Sequence, residues 1–100
     1  MVRHIVLFQL KPELEDSKKA EVMKNFKEGI EALPQVIPFI KNIEVGFNIN
    51  PDEKWDICLN GEFASLEDVK LYSVNPHHVK VAGALKPFLI GRACNDYEIN

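Results

Sequence analysis

One short segment of the sequence combines residue types that can transfer protons. It places Tyr72, His77 and His78 around Pro76. A phenol donates or accepts a hydrogen bond and an imidazole titrates near neutral pH, so Tyr72 and His78 are a candidate acid–base pair. Pro76 ends one helix, and Asn75 can cap a second helix that begins there. On that second helix the two histidines diverge by about 100°, so only His78 can face Tyr72 across the break.

Three interpretations of this segment remain open on residue types alone. Tyr72 and His78 can bury their rings and seal a helix junction by bonding each other. Alternatively, His78 acts as a general base while Tyr72 stabilises or protonates an enolate of a small carbonyl compound. A metal site from His4, His77 and His78 is a third possibility, but adjacent histidines on a helix diverge and no carboxylate or cysteine is well spaced. We therefore expect no metal and no cofactor.

Composition and charge narrow the class of protein. The 100 residues are expected to form one domain over residues 1–100, since 46% are apolar and 27% charged. A net charge of −3 argues against nucleic-acid binding, and no apolar run is long enough to cross a membrane. The start of the chain resembles no targeting peptide, so we expect a cytoplasmic protein. Cys58 and Cys94 are predicted to be reduced core residues on strands too far apart for a disulfide.

Hydrophobic periodicity divides the chain into elements that can position this segment. We predict a cap at Asp16 or Ser17 for the first helix, a stop at Pro34 and a cap at Ser65 for the second helix. The predicted elements are strands over residues 2–10, 40–48, 55–63 and 88–99, a helix over 13–33, and a helix over 65–86 that breaks at Pro76. The order β-α-β-β-α-β is that of the ferredoxin-like α+β fold, a four-stranded antiparallel sheet with spatial order 4-1-3-2.

The predicted sheet has more apolar side chains than its helices can cover. Both helices lie on one face, whereas the strands carry apolar residues such as Leu7 and Val45 that we expect on the opposite face. No part of the chain remains to cover that face. We therefore predict a homodimer in which two sheets pack into a barrel.

Several segments resemble the stress-responsive dimeric α/β-barrel (Dabb) family. They are residues 3–8 (RHIVLF), 61–63 (GEF), the pattern Tyr72-x-x-x-Pro76-x-His78-Val79, and Asp96-Tyr97. The resemblance covers essentially the whole chain. It implies a homodimer of ferredoxin-like protomers, and most members of the family have no assigned activity. A plant branch includes a polyketide cyclase with a Tyr and a His as its acid–base pair, which match Tyr72 and His78.

The resemblance also implies a pocket between the sheet and the helices. Its expected lining, beside Tyr72 and His78, is His4, Val6, Phe8, Phe26 and Ile57. Ile57 and Phe26 replace a histidine and a tyrosine of the cyclase, which argues against its polyketide substrate. The resemblance therefore favours a protein that binds a small, partly apolar molecule, with a cyclase or lyase as the alternative. In related members, backbone carbonyls of the loop matching residues 33–39 hold a hard cation, and that possibility stays open here.

Overall fold

The computed structural model describes residues 1–99 and has the predicted ferredoxin-like architecture. Its four strands form one antiparallel sheet in the order β2-β3-β1-β4, with three α-helices against one face. The elements are β1 (Val2–Leu10), α1 (Asp16–Glu31), β2 (Asn42–Phe47), β3 (Ile57–Phe63), α2 (Leu66–Val74), α3 (Pro76–Leu85) and β4 (Leu89–Glu98), with short 3-10 turns at Leu33–Gln35 and Lys86–Phe88.

The long helix α1 is shorter at both ends than its apolar pattern predicts. Its N-cap is Glu15, which makes no side-chain cap hydrogen bond, so the predicted cap at Asp16 or Ser17 is wrong. Pro34 lies in the 3-10 turn that follows, where a missing N–H costs nothing. At Gly29 the helix packs so closely on α3 that no side chain fits between them. A Cβ at that position would lie 2.9 Å from Cγ1 of Val81.

The junction between α2 and α3 forms as its local sequence predicts. The Ser65 hydroxyl accepts a hydrogen bond from the Asp68 N–H at 3.2 Å and caps α2. The Asn75 side chain accepts a hydrogen bond from the His77 N–H at 2.9 Å, with Asn75 in extended backbone geometry and Pro76 as the first residue of α3. Two short capped helices thus meet at a bend whose position is set by adjacent residues.

The register of the sheet decides which residues share a face. Central strand β1 pairs with β3 on one side and with edge strand β4 on the other, so that His4 lies opposite both Gly61 and Asp96. Strand β3 begins two residues later than predicted, which leaves Trp55 outside it. Side chains of Val2, His4, Val6, Phe8 and Leu10 all point into the layer between sheet and helices and are buried.

The outer face of the sheet, which is the face turned away from the helices, carries only some of the apolar residues that we expected there. Val45 is 2% exposed and belongs to the buried core, so its predicted place on the uncovered face is wrong. The reason is register, since Val45 pairs with the buried Leu59 of β3. Ile5 and Leu7 do lie on the outer face, half-buried in one protomer. Arg3 shares that face and forms an ion pair with Glu62 at 2.7 Å.

The two cysteines are free thiols on opposite faces of the sheet. Cys58 pairs with Leu7 and Cys94 pairs with Val6, and those two neighbours of β1 point in opposite directions. Cys94 is exposed rather than part of the core, so its predicted role as core filler is wrong. Among residues 1–99, no helix combines the length and apolar character needed to cross a membrane.

Candidate functional site

The structure brings the rings of Tyr72 and His78 together across the helix junction. Their centroids lie 4.3 Å apart at an interplanar angle of 47°. Tyr72 is fully buried near the end of α2, whereas His78 is partly exposed in the first turn of α3. His77 is exposed on the side of α3 that faces away from this contact. The expected divergence of the two histidines is therefore present.

The hydrogen bond of His78 defines its tautomer. Its Nδ1 lies 3.0 Å from the backbone oxygen of Ser73, which can only accept, so Nδ1 carries the proton. The other ring nitrogen, Nε2, keeps its lone pair. Burial lowers the pKa of His78 below its ordinary value, the Ser73 bond opposes that shift, and electrostatic interaction with His4 and Arg92 adds to it. His78 is thus a neutral base over most of the physiological pH range.

The hydroxyl of Tyr72 is buried without a hydrogen-bond partner among the described residues. Burial raises the pKa of Tyr72, so the phenol stays protonated and available as a donor. An unsatisfied buried hydroxyl costs on the order of 1–3 kcal/mol. Such groups are explained by a water, an ion or a bound molecule that completes the hydrogen bond, or by a role in catalysis.

A second imidazole reaches the same place from the sheet. Nδ1 of the buried His4 donates to Oδ1 of Asp96 at 2.5 Å, and its ring lies edge-on to those of Tyr72 and Phe63. Gly61, opposite His4 on β3, makes room for this stack, because a Cβ there would lie 2.9 Å from the Phe63 ring. The Asp96 carboxylate holds the His4 ring in one orientation.

These groups border a cavity of about 80 Å³ between the sheet and the α2–α3 junction. Six of the seven predicted pocket residues line it, and Ile57 does not. Ile57 is almost fully buried in the core, and Leu59 lines the cavity instead. The complete lining is His4, Val6, Phe8, Phe26, Leu59, Tyr72, Ser73, His78, Ala82, Leu85, Leu89 and Arg92.

Edge strand β4 contributes polar groups that were not proposed as site residues. Arg92 lines the cavity, and Cys94 and Asp96 follow on the same face of the strand. Their signal in the sequence is only that they occupy every second position of the final strand. This spacing alone does not place the residues at the site. Only the pairing of β1 with β4 puts Asp96 opposite His4 and Arg92 opposite Phe8.

One group of side chains has donor atoms of the kind that transition metals bind. Nδ1 of His4, Sγ of Cys94 and a carboxylate oxygen of Asp96 lie within 4.8 Å of one another. In the structure His4 and Asp96 are engaged with each other. Burial and the Asp96 charge raise the pKa of the Cys94 thiol, so the thiol stays protonated. The set is thus a hydrogen-bonded pair beside a neutral thiol. His4, His77 and His78, which the sequence analysis considered as a metal site and argued against, form no such group among residues 1–99.

A larger groove of about 440 Å³ lies elsewhere, between α1 and α3. Its walls are mainly apolar, and His77, Lys18 and Lys80 stand at its edges. It contains neither Tyr72 nor His78. Size therefore does not identify the chemical site, and the smaller cavity holds the acid–base groups.

The fold agrees with comparison to known proteins. Residues 2–99 match the family described as the Stress responsive A/B Barrel Domain (Dabb). The chain belongs to that family. It is 24% identical over 90 residues to olivetolic acid cyclase from Cannabis sativa, a match that covers 87% of this chain and 85% of the cyclase.

Solved structures share the fold. A crystal structure of a dimeric protein of unknown function and ferredoxin-like fold from Bacteroides fragilis is 49% identical, with a TM-score of 0.96 over 98% of this chain and 95% of that chain. A hydroxynitrile lyase from Passiflora edulis is 20% identical, with a TM-score of 0.75 over 99% of this chain and 93% of that chain. The proteins similar to this chain thus include a cyclase, a lyase and a protein of unknown function.

Proposed function

We propose that this protein is an acid–base catalyst that acts on a small carbonyl compound, in a reaction of the cyclase or lyase type. The observation that carries the proposal is the unpartnered hydroxyl of Tyr72, buried beside the neutral imidazole of His78 at one cavity. A donor and a base that face one small space can act on neighbouring atoms of one ligand. A junction sealed by Tyr72 and His78 alone would have satisfied that hydroxyl.

The chemistry follows from the protonation states of the two side chains. Nε2 of His78 removes a proton from the carbon next to a carbonyl group, and the electron pair moves onto the carbonyl oxygen. Tyr72 donates a hydrogen bond to that oxygen and stabilises the enolate. The enolate carbon then attacks a second carbonyl, or regains a proton, while imidazolium returns the proton it took. The ring of His4, held by Asp96, forms the wall next to this oxygen.

Proton abstraction can be tested without the natural substrate. We expect the protein in D₂O to accelerate exchange of the protons beside the carbonyl of 2-butanone, followed by proton NMR. His78→Ala and Tyr72→Phe should each reduce the rate by a factor of about 100 or more, the usual scale of general acid–base catalysis. His77→Ala is the matched control, because it removes an imidazole one position away that points elsewhere.

Two outcomes would contradict catalysis. One is exchange no faster than in buffer with the wild-type protein. The other is exchange that persists in His78→Ala. The double variant Tyr72→Phe, His78→Ala should be little worse than either single variant, since residues that act on one transition state are not additive.

A second candidate function is binding without turnover. Most of the cavity wall is apolar, including Phe8, Phe26 and Leu85, and this composition suits retention of a small apolar molecule. Native mass spectrometry of the purified protein would detect such a ligand. A bound molecule whose affinity is unchanged by His78→Ala, together with absent exchange activity, would favour this function.

We also propose that the chain forms a homodimer through the outer face of its sheet. Ile5 and Leu7 support this, because they are half-buried on a face that no helix covers, and the Bacteroides fragilis relative is dimeric. A specific interface typically buries roughly 1,600 Å². Sedimentation should give a dimer at micromolar concentration, and Leu7→Glu should shift it to monomer. A folded wild-type monomer at that concentration would contradict the proposal.

Finally, we propose a cytoplasmic location. Its support is the pair of free thiols, one of them the exposed Cys94, in a chain without a disulfide among the described residues. Cell fractionation with detection of the tagged chain would test it.

A further inference from the structure

The two arginines of this chain differ in whether a carboxylate of the protein binds their guanidinium group. Arg3, on the outer face, is paired with Glu62 at 2.7 Å. Arg92 lines the cavity, and no carboxylate of the described residues lies within 4.0 Å of its guanidinium. Asp96, the acidic group nearest along that face of β4, is already bound by His4. Arg92, an exposed residue, is thus a cation at the cavity wall without a carboxylate partner among residues 1–99.

The chain segment that contains Arg92 is also positively charged. Residues 69–95, which form most of α2, all of α3 and most of β4, contain no aspartate or glutamate. The same stretch carries Lys70, Lys80, Lys86 and Arg92, although the whole chain has a net charge of −3. The titratable groups that border the cavity with Arg92 are His4, Tyr72 and His78, and none of them supplies a negative charge. The positive charge at the wall of this cavity therefore comes from Arg92, and it attracts anions.

The size and the walls of the cavity limit the anion. A volume of about 80 Å³ equals the share of roughly three water molecules in the liquid, so the enclosed part of a ligand has only a few carbon atoms. The walls beyond Arg92 are largely apolar, with Phe8 directly opposite it on β1. A guanidinium matches the planar geometry of a carboxylate and can bind both of its oxygens.

From the free guanidinium, the acid-free stretch and the small apolar cavity, we infer that the ligand is a short-chain monocarboxylate whose carboxylate binds Arg92. This inference rests on the proposed function, because it names the substrate class of the same cavity: a small oxo acid, with its carbonyl at Tyr72 and His78. Arg92 then determines specificity and positions the ligand, while the proton transfer belongs to His78.

The experiment compares two ligands that differ in charge but hardly in shape, isobutyrate and isobutyramide. Binding is followed by the NMR shifts of the protein in a millimolar titration. We expect isobutyrate to bind about tenfold more tightly than the amide, the scale of one charge-assisted hydrogen bond. Arg92→Gln should remove that preference, and Arg92→Lys should restore part of it. Lys86→Gln is the control, since it removes one charge of the same stretch outside the cavity wall.

The results separate this inference from the proposed function. Equal affinity for the two ligands, no binding of either, or an unchanged preference in Arg92→Gln would each overturn the carboxylate inference. Exchange of the uncharged 2-butanone by the wild-type protein, and its loss in His78→Ala, test the acid–base proposal separately, whatever the affinities for isobutyrate and isobutyramide. Conversely, the protein could prefer isobutyrate and catalyse no exchange. That result would support carboxylate binding at Arg92 and contradict the proposed catalysis.

Discussion

The layer between the sheet and the helices has two ends built on different principles. At the α1 end, Ile30, Val45 and Ile57 are almost completely buried and make apolar contacts. At the α2–α3 end, the same layer contains His4, the unpartnered Tyr72 hydroxyl and a cavity. Packing at the first end stabilises the fold, whereas the second end keeps polar groups and open space at a cost in stability. That contrast is the reason for proposing that the second end is the functional one.

The largest expected difference between the ends is in the cost of truncation. Ile30→Ala at the α1 end should lower the free energy of unfolding by about 2–5 kcal/mol, because it opens a cavity in close-packed core. His78→Ala should cost about 1 kcal/mol, since a partly exposed ring with one hydrogen bond to the Ser73 carbonyl contributes little. Chemical denaturation of both variants provides the measurement. If the order were reversed, His78 would be a structural residue.

A smaller loss is expected at the His4–Asp96 hydrogen bond. Asp96→Ala leaves the N–H of a buried imidazole without its acceptor and should lower the free energy of unfolding by roughly 1–3 kcal/mol. Glu98→Ala, two residues further along the same face of β4, is the matched control and should be nearly neutral. Thermal denaturation of the two variants compares them. Equal effects would mean that the His4–Asp96 bond does not hold the cavity wall.

Tyr72→Phe should have an effect of the opposite sign. Removing a buried hydroxyl without a partner should raise the free energy of unfolding by about 1 kcal/mol while it abolishes proton exchange. Stability gained as activity is lost is characteristic of a residue kept for function. Denaturant unfolding and the 2-butanone exchange assay test both parts. A destabilised Tyr72→Phe would show that the hydroxyl has a structural partner and would remove the main support for catalysis.

The smallest effect concerns pH. Because burial lowers the pKa of His78 in the folded protein, the unfolded chain binds more protons as the pH falls below about 6.5, the ordinary histidine value. Wild-type stability should therefore decrease in that acid window and be regained above it. The stability of His78→Gln should decrease less over the same pH window. The measurement compares denaturation of the two proteins at a series of pH values. Identical pH profiles would show that the His78 imidazole is as easily protonated in the folded state as in the unfolded chain.

Local residues account for the parts of this site that were predictable. Ser65 and Asn75 cap their helices and Pro76 starts α3, so the bend that joins Tyr72 to His78 is encoded within a few neighbouring residues. Helix geometry separates His77 from His78 for the same local reason. Strand alternation grouped His4, Val6, Phe8 and Leu10 of β1 on one face, and these residues are buried together in the structure.

Contacts between distant parts of the chain decided the rest. Val45 was placed on the wrong face because alternation gives two faces without saying which one the helices cover. Ile57, expected in the cavity from the family resemblance, does lie on the helix-covered face, but its position along β3 puts it in the core beside the cavity. Asp96 binds His4 although the two residues are 92 positions apart in the sequence. Arg92 reaches the cavity only because β4 pairs with β1 at the edge of the sheet. The sequence by itself determined the elements, their order and the Tyr72–His78 junction, since these depend on periodicity and on capping by neighbours. Only the tertiary structure decided the cavity wall and its free cation, because register between strands depends on packing of the whole layer.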